Sequence, residues 1–137
     1  MANAFDVNTV TIALNNDYGG SDKTLYCLHA PAAAVGGAVT IVGAYAVSDA
    51  TLAAGTTNYY SLALHKYSSA ATPVLSGTIA AAIGGTAGWT QGVPREFTLS
   101  STYAKLSAGE WCAVEYTEAG TGNPTNGFVV VEYVMGK

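Results

Sequence analysis

Two histidines, two cysteines and a few carboxylates are the residues of this chain whose types could support chemistry. His29 and His65 each stand at the end of an alternating apolar segment, and a catalytic zinc needs three protein ligands. Cys27 and His29 share a strand face at i, i+2, with Cys112 as the other thiol, yet no CxxC or HxxxH spacing accompanies them. No metal site and no cofactor are therefore expected. Nucleophilic catalysis would place a serine or cysteine beside a histidine and a carboxylate. The chain has no GxSxG turn, and Ser61 lies among tyrosines and leucines that read as strand surface. Glycoside hydrolysis needs two facing acids, and Glu115 and Glu132 are the pair to weigh. If Glu118 to Asn126 is a hairpin loop, their side chains point to opposite faces, which makes them structural. Asp17-Tyr18-Gly19-Gly20-Ser21-Asp22 is oxygen-rich but lacks the spacing and terminal glutamate of an EF-hand, so it is read as a solvated turn. Gly84, Gly85 and Gly88 do not follow a phosphate-cradling GxxxxGK[ST] pattern. The chain is expected not to be an enzyme.

The elements that would position these residues are all short and alternating. Val10, Ile12 and Leu14 alternate with Thr9, Thr11 and Ala13, the period-2 pattern of a half-buried strand. Lys23 to His29 follows, with Leu25 and Cys27 on one face and Tyr26 and Leu28 on the other. The stretch Ala38 to Tyr67 reads as two long strands joined as a hairpin by a small-residue loop, Ser48 to Thr57. In its first strand Val39, Ile41, Tyr45 and Val47 share one face, and Gly43 marks a bulge or a close backbone approach. In its return strand Tyr60, Leu62 and Leu64 alternate against Tyr59, Ser61, Ala63, His65 and Tyr67. Pro73 to Gly77 reads as a short edge strand, and Thr78 to Ile83 has the composition for one helical turn. Arg95, Phe97 and Leu99 alternate as a further strand. Leu106-Ser107-Ala108-Gly109-Glu110 is a tight turn leading into Trp111 to Thr117, and a glycine-rich loop then feeds Phe128 to Val134 as a second hairpin. Eight strand segments and no long helix predict an all-β fold: a single antiparallel β-sandwich with jelly-roll connectivity. Residues 1–8 form an N-terminal arm anchored by Phe5, and residues 9–137 form the sandwich.

Half of the 137 residues are apolar and only 10% are charged, against roughly a quarter in average soluble proteins. Such an uncharged exterior suits either burial against other subunits or a rigid, Thr- and Ala-rich β surface. The five basic residues stand singly in a chain of net charge −4, so neither nucleic acid nor an anionic membrane is an expected partner. The N-terminus shows no signal-peptide pattern, and a cytosolic origin would keep Cys27 and Cys112 as thiols. The aromatics are left over. Trp89 lies in a glycine-rich loop, where it either plugs one end of the sandwich or offers a contact. Tyr59 and Tyr67 share a strand face, where they suit a protein interface or stacking on sugar rings.

The segments AVTIVGAYAVSDATLAAGTTNYYSLALHKY and LSAGEWCAVEYTEAGTGNPTNGFVVVEY together resemble β-sandwich structural proteins of tailed bacteriophages. More narrowly, they are similar to head decoration (cement) and head-fibre type proteins. The shared pattern is a hydrophobic strand, a small-residue loop and Asn-Tyr-x-x-Leu. A Leu-x-Ala-Gly-Glu turn, a Gly-Thr-Gly loop and a Val-rich last strand complete it, over Val39 to Tyr133. The resemblance implies a non-enzymatic virion protein on the outer capsid surface, assembled in the host cytoplasm. It also implies the major capsid protein as partner and a homotrimer, and it carries over no functional residues. The contact residues expected from the chain's own pattern are Phe5, Tyr59, Tyr67 and Trp89. The alternative is a carbohydrate- or receptor-binding β-sandwich module of a head fibre or tail.

Overall fold

A computed structural model describes residues 6–14, 22–33, 37–120 and 127–136. Phe5, the Asp17–Ser21 part of the oxygen-rich turn and the Asn123-Pro124 dipeptide lie outside the described residues. Nine strands are seen among those described: β1 (Asn8–Ala13), β2 (Lys23–His29), β3 (Val39–Val47), β4 (Tyr59–Tyr67), β5 (Leu75–Gly84), β6 (Arg95–Glu96), β7 (Lys105–Leu106), β8 (Trp111–Ala119) and β9 (Phe128–Met135). They build two antiparallel sheets. The first runs β1-β9-β3-β6, with β7 also on β3, and the second runs β2-β8-β4-β5.

The pairing is nested. β1 joins β9, β2 joins β8, β3 joins β6 and β7, and β4 joins β5. A long hairpin whose paired arms are rolled across two sheets has this connectivity, which is that of a jelly roll. The expected all-β sandwich is therefore the fold observed.

Both expected hairpins are absent, however. β3 lies in the first sheet and β4 in the second, so the segment from Ala38 to Tyr67 crosses the sandwich instead of folding back on itself. β8 and β9 are likewise split between sheets. The small-residue loop of Ser48 to Thr57 bridges layers that stack about 10 Å apart. Glu115 and Glu132 do point to opposite sides, but as members of different sheets and not as neighbours on a hairpin.

Inward-facing residues of both sheets form one core, in which Val39, Leu62, Leu64, Leu106, Val114, Val129 and Val131 are fully buried. Each such side chain contributes about 1.5–3 kcal/mol by leaving water. β4 keeps the expected phase throughout: Tyr60, Leu62 and Leu64 face in. β3 does not. Its register against β9 shifts between Ile41 and Gly43, so Val39 and Ile41 are followed inward by Ala44 and Ala46, while Tyr45 and Val47 turn outward. Gly43 is the bulge its sequence position suggested, and a Cβ there would lie 3.3 Å from the Glu132 carboxylate.

β5 is the edge strand of the second sheet, as expected, but it is ten residues long and runs on through Thr78–Ile83, where a helical turn was expected. Pairing with β4 overrides the helix propensity of its alanines, and irregular register lets Ile79 and Ala80 both turn inward. The Leu106–Glu110 turn is present, with Gly109 at φ 83° as a left-handed turn position requires. Leu106 itself belongs to β7. At this end of the sandwich Lys66 of β4 pairs with Glu110 at 2.7 Å and donates to the Lys105 carbonyl at 3.0 Å, tying the second sheet to the first.

Candidate functional site

The outer face of the second sheet gathers most of the chain's chemically capable side chains. Alternation sends Thr24 and Tyr26 of β2 outward, and a register shift between Tyr26 and Leu28 restores His29 to the same side. β4 presents Ser61, Ala63, His65 and Tyr67, and β8 presents Trp111, Ala113, Glu115 and Thr117. Register sets them in rows across the three strands. His29, Trp111 and Tyr67 form one row; Tyr26, Ala113 and His65 the next; Thr24, Glu115 and Ala63 a third.

Small residues at the centre let the aromatics lean inward over the sheet. Tyr26 meets Tyr67 edge-on with ring centroids 5.3 Å apart, and Trp111 edge-on at 5.6 Å. His29 stacks on Trp111 at 4.0 Å, and its Nε2 lies 3.0 Å from the Gly109 carbonyl. Beneath them Ala113 is fully buried although it faces outward. Tyr26 remains 46% exposed, so the cluster ends in an aromatic surface open to solvent.

Glu115 is the polar centre of this face. Thr24 Oγ1 donates to its carboxylate at 3.0 Å, the Tyr67 hydroxyl donates to it, and His65 Nδ1 lies 3.8 Å away. Burial, followed by the bond to Glu115, raises the Tyr67 phenol above its ordinary range, so it stays protonated and donating. The carboxylate is thus occupied as an acceptor of strand-to-strand hydrogen bonds. His29 is likewise committed to a ring stack and a carbonyl. No described serine hydrogen-bonds a histidine, and the described residues hold no group of three or more metal-ligating side chains. A flat, aromatic, nearly uncharged face with one tethered carboxylate is suited to binding.

Of the residues expected to make contacts, Tyr59 and Tyr67 lie on this outer face, at opposite ends of β4 and about 26 Å apart. Only Tyr67 joins the aromatic cluster. Trp89 does not reach a surface. It is 4% exposed, stacked on Tyr60 at 4.9 Å, with its Nε1 donating to the Tyr60 carbonyl at 3.0 Å. Gly84 makes room for it, since a Cβ there would come within 2.3 Å of the indole, and Arg95 lies over the ring at 5.4 Å. Gly84 and Gly88 on the approach to Trp89 serve close packing, and the ring plugs one end of the core.

Tyr26, Trp111 and Glu115 were not singled out by sequence as partners of Tyr67. Their outward phase was legible, but their adjacency depends on β2 and β4 both pairing with β8. Glu132 sits apart on the first sheet, where it lines a cavity of about 280 Å³ with Val42, Tyr45, Glu96, Phe97 and Leu99.

No family model, curated protein or solved structure matches this chain.

Proposed function

We propose that this chain is a non-enzymatic virion structural protein. In this reading it is a decoration (cement) protein that docks on the outer face of a phage head through the outer face of its second sheet. The observation that carries the reading is the open cluster of Tyr26, Tyr67 and Trp111, tied at Tyr67 to the Glu115 carboxylate. Tyrosine and tryptophan supply large contact area at low conformational cost, and they dominate the energetics of protein interfaces. The similarity of the strand-and-turn pattern to phage decoration proteins supplies the kind of partner, the major capsid protein. The low surface charge is in keeping with a protein covered by neighbours.

Mechanically, a rigid sandwich that spans shell subunits removes apolar area from water at about 25 cal/mol per Å², less the cost of association. Repetition over a symmetric shell, and trimerisation, would multiply modest contacts by avidity. Assembly would take place in the host cytoplasm, with no role for nucleic acid or membrane binding.

Adding the purified protein to undecorated shells should raise the temperature at which they disrupt. Trp111→Ser should abolish that rise while leaving a folded protein. Shells unaffected by the wild-type protein would end the proposal.

A second reading is favoured by one feature, the half-exposed Tyr26 ring beside the polar Thr24–Glu115 pair. That arrangement suits a saccharide ring stacked on tyrosine with its hydroxyls on the polar pair. Saturable binding to a glycan array by the wild type, lost in Tyr26→Ala, would support this reading over capsid binding.

A further inference from the structure

Cys27 and Cys112 are far apart in the chain and adjacent in the fold. Cys27 occupies the bulge in β2, between Tyr26 and Leu28, and Leu28 is the register partner of Cys112 on β8. Two residues of β2 therefore oppose one residue of β8, which brings both thiols to the core side of the second sheet. Cys112 is fully buried, and Cys27 is partly buried against the same core. The Cys27 thiol donates to the Cys112 carbonyl at 3.3 Å. In the bulge Cys27 and Leu28 share Cys112 as their one partner, and the two thiols lie in hydrogen-bond contact with each other, the side-by-side approach from which a disulfide closes.

We infer that Cys27 and Cys112 form a disulfide-forming pair, closed by exchange with a low-molecular-weight disulfide. The partly exposed Cys27, on the edge strand β2, is the entry point. Its thiolate attacks one sulfur of the small disulfide, forming a mixed disulfide and expelling one small thiolate, which takes up a proton. Cys112, as its thiolate, then attacks Cys27 Sγ and expels the second small thiol. Two protein thiols are oxidised and one small disulfide is reduced to two thiols. Contact with Cys27, and burial, hold the Cys112 thiol well above its ordinary pKa, so this second step is the slow one and accelerates with rising pH.

The bond has a structural consequence. β2 is held on one side only, by β8, and carries Thr24, Tyr26 and His29 of the aromatic face. A disulfide closing a loop of 85 residues would pin that edge strand in place.

The test incubates the folded protein in glutathione buffers of increasing oxidised fraction, followed by thiol counting and intact mass. The expected result is concerted loss of both thiols and a mass lower by two hydrogens, with no glutathione retained. Peptide mapping should join Cys27 to Cys112, and the melting temperature should rise by roughly 10 °C. Under the same oxidant Cys27→Ser should show no rise. Three outcomes would each overturn the assignment: thiols that persist in fully oxidised buffer, glutathione left on Cys27, or a bond between two chains. Because Cys112→Ser alters a fully buried position, Cys27→Ser is the control variant.

Discussion

The second sheet carries an aromatic cluster on each of its sides, and the two are built differently from the same strands. Inside, Tyr60 of β4 stacks on Trp89 at an interplanar angle of 9° and packs against Tyr116 of β8, away from water. Outside, Tyr67 of β4 and Trp111 of β8 meet Tyr26 edge-on, beside a carboxylate and in reach of solvent. The inner rings are held by shape: Gly84 gives Trp89 its slot, and the indole N–H satisfies a backbone carbonyl. Of the outer rings, Tyr67 is tied from strand to strand through its hydroxyl to Glu115, and Tyr26 and Trp111 are held by ring contacts. The inner cluster should therefore carry stability and the outer one recognition, and each substitution below separates those two roles.

Trp89→Ala should have the largest effect. Removing a buried indole leaves a cavity that neither sheet can close, at a cost of about 3–5 kcal/mol. Urea denaturation would measure it. A loss below about 1 kcal/mol would mean that Trp89 is not the plug that the structure shows.

Alkaline pH should act next, again through the interior. Burial pushes the Tyr60 phenol from 10.0 up to about 12. The folded state therefore holds this proton more tightly than the unfolded state does. Its contribution is intact below pH 10 and is lost as pH rises from 10 to 12, by about 3 kcal/mol. Tyr67, whose pKa is also raised, adds in the same direction but more weakly, because solvent screens it. Chemical denaturation at stepped pH would trace the decline.

The contrast between the clusters also marks what the amino-acid sequence could and could not tell. Alternation carried the burial phase of β4, where Tyr60, Leu62 and Leu64 face inward, and the span of β2 (Lys23–His29), but not the bulge at Cys27 that turns Leu28 inward. It did not carry strand partnership. A strand in a sandwich shows the same period whether its successor pairs with it or crosses to the other layer, so β3–β4 and β8–β9 read as hairpins and are not. The outer cluster depends on that missing information, because its members come from three strands that are distant in sequence. For Trp89 the sequence left a plug and a surface contact both open, for a different reason. Glycines at 84 and 88 look like a flexible loop, whereas positive φ and close packing demand them there. Gly43 was legible as a bulge, but its effect on phase, turning Tyr45 and Val47 outward, needed the pairing with β9.

A smaller effect on stability, with a larger one on binding, is expected from the outer face. Tyr26→Ala removes two edge-to-face contacts, each worth about 0.5–1.5 kcal/mol, from a residue already half in water. Stability should fall by roughly 1 kcal/mol, while affinity for the shell under the proposed function should fall at least about tenfold. Equal losses in Tyr26→Ala and Trp89→Ala would erase the distinction between the clusters.

Tyr60→Phe sharpens the comparison most finely. The Tyr60 hydroxyl is buried beside Ser48, yet it makes no hydrogen bond of normal geometry among the described residues. Ser48 Oγ is instead spent on the Ala50 carbonyl at 2.8 Å. Phenylalanine keeps the ring stack and removes a polar atom that is poorly satisfied, so stability at neutral pH should change by less than about 1 kcal/mol, toward greater stability. The same substitution should flatten the decline between pH 10 and 12, since the group that ionises is gone. Tyr67→Phe should do the opposite at neutral pH, because its hydroxyl is a donor to Glu115 and its loss leaves that carboxylate short of a partner. If Tyr60→Phe instead cost more than Tyr67→Phe at pH 7, the inner cluster would be held by a polar tie as Tyr67 is in the outer one.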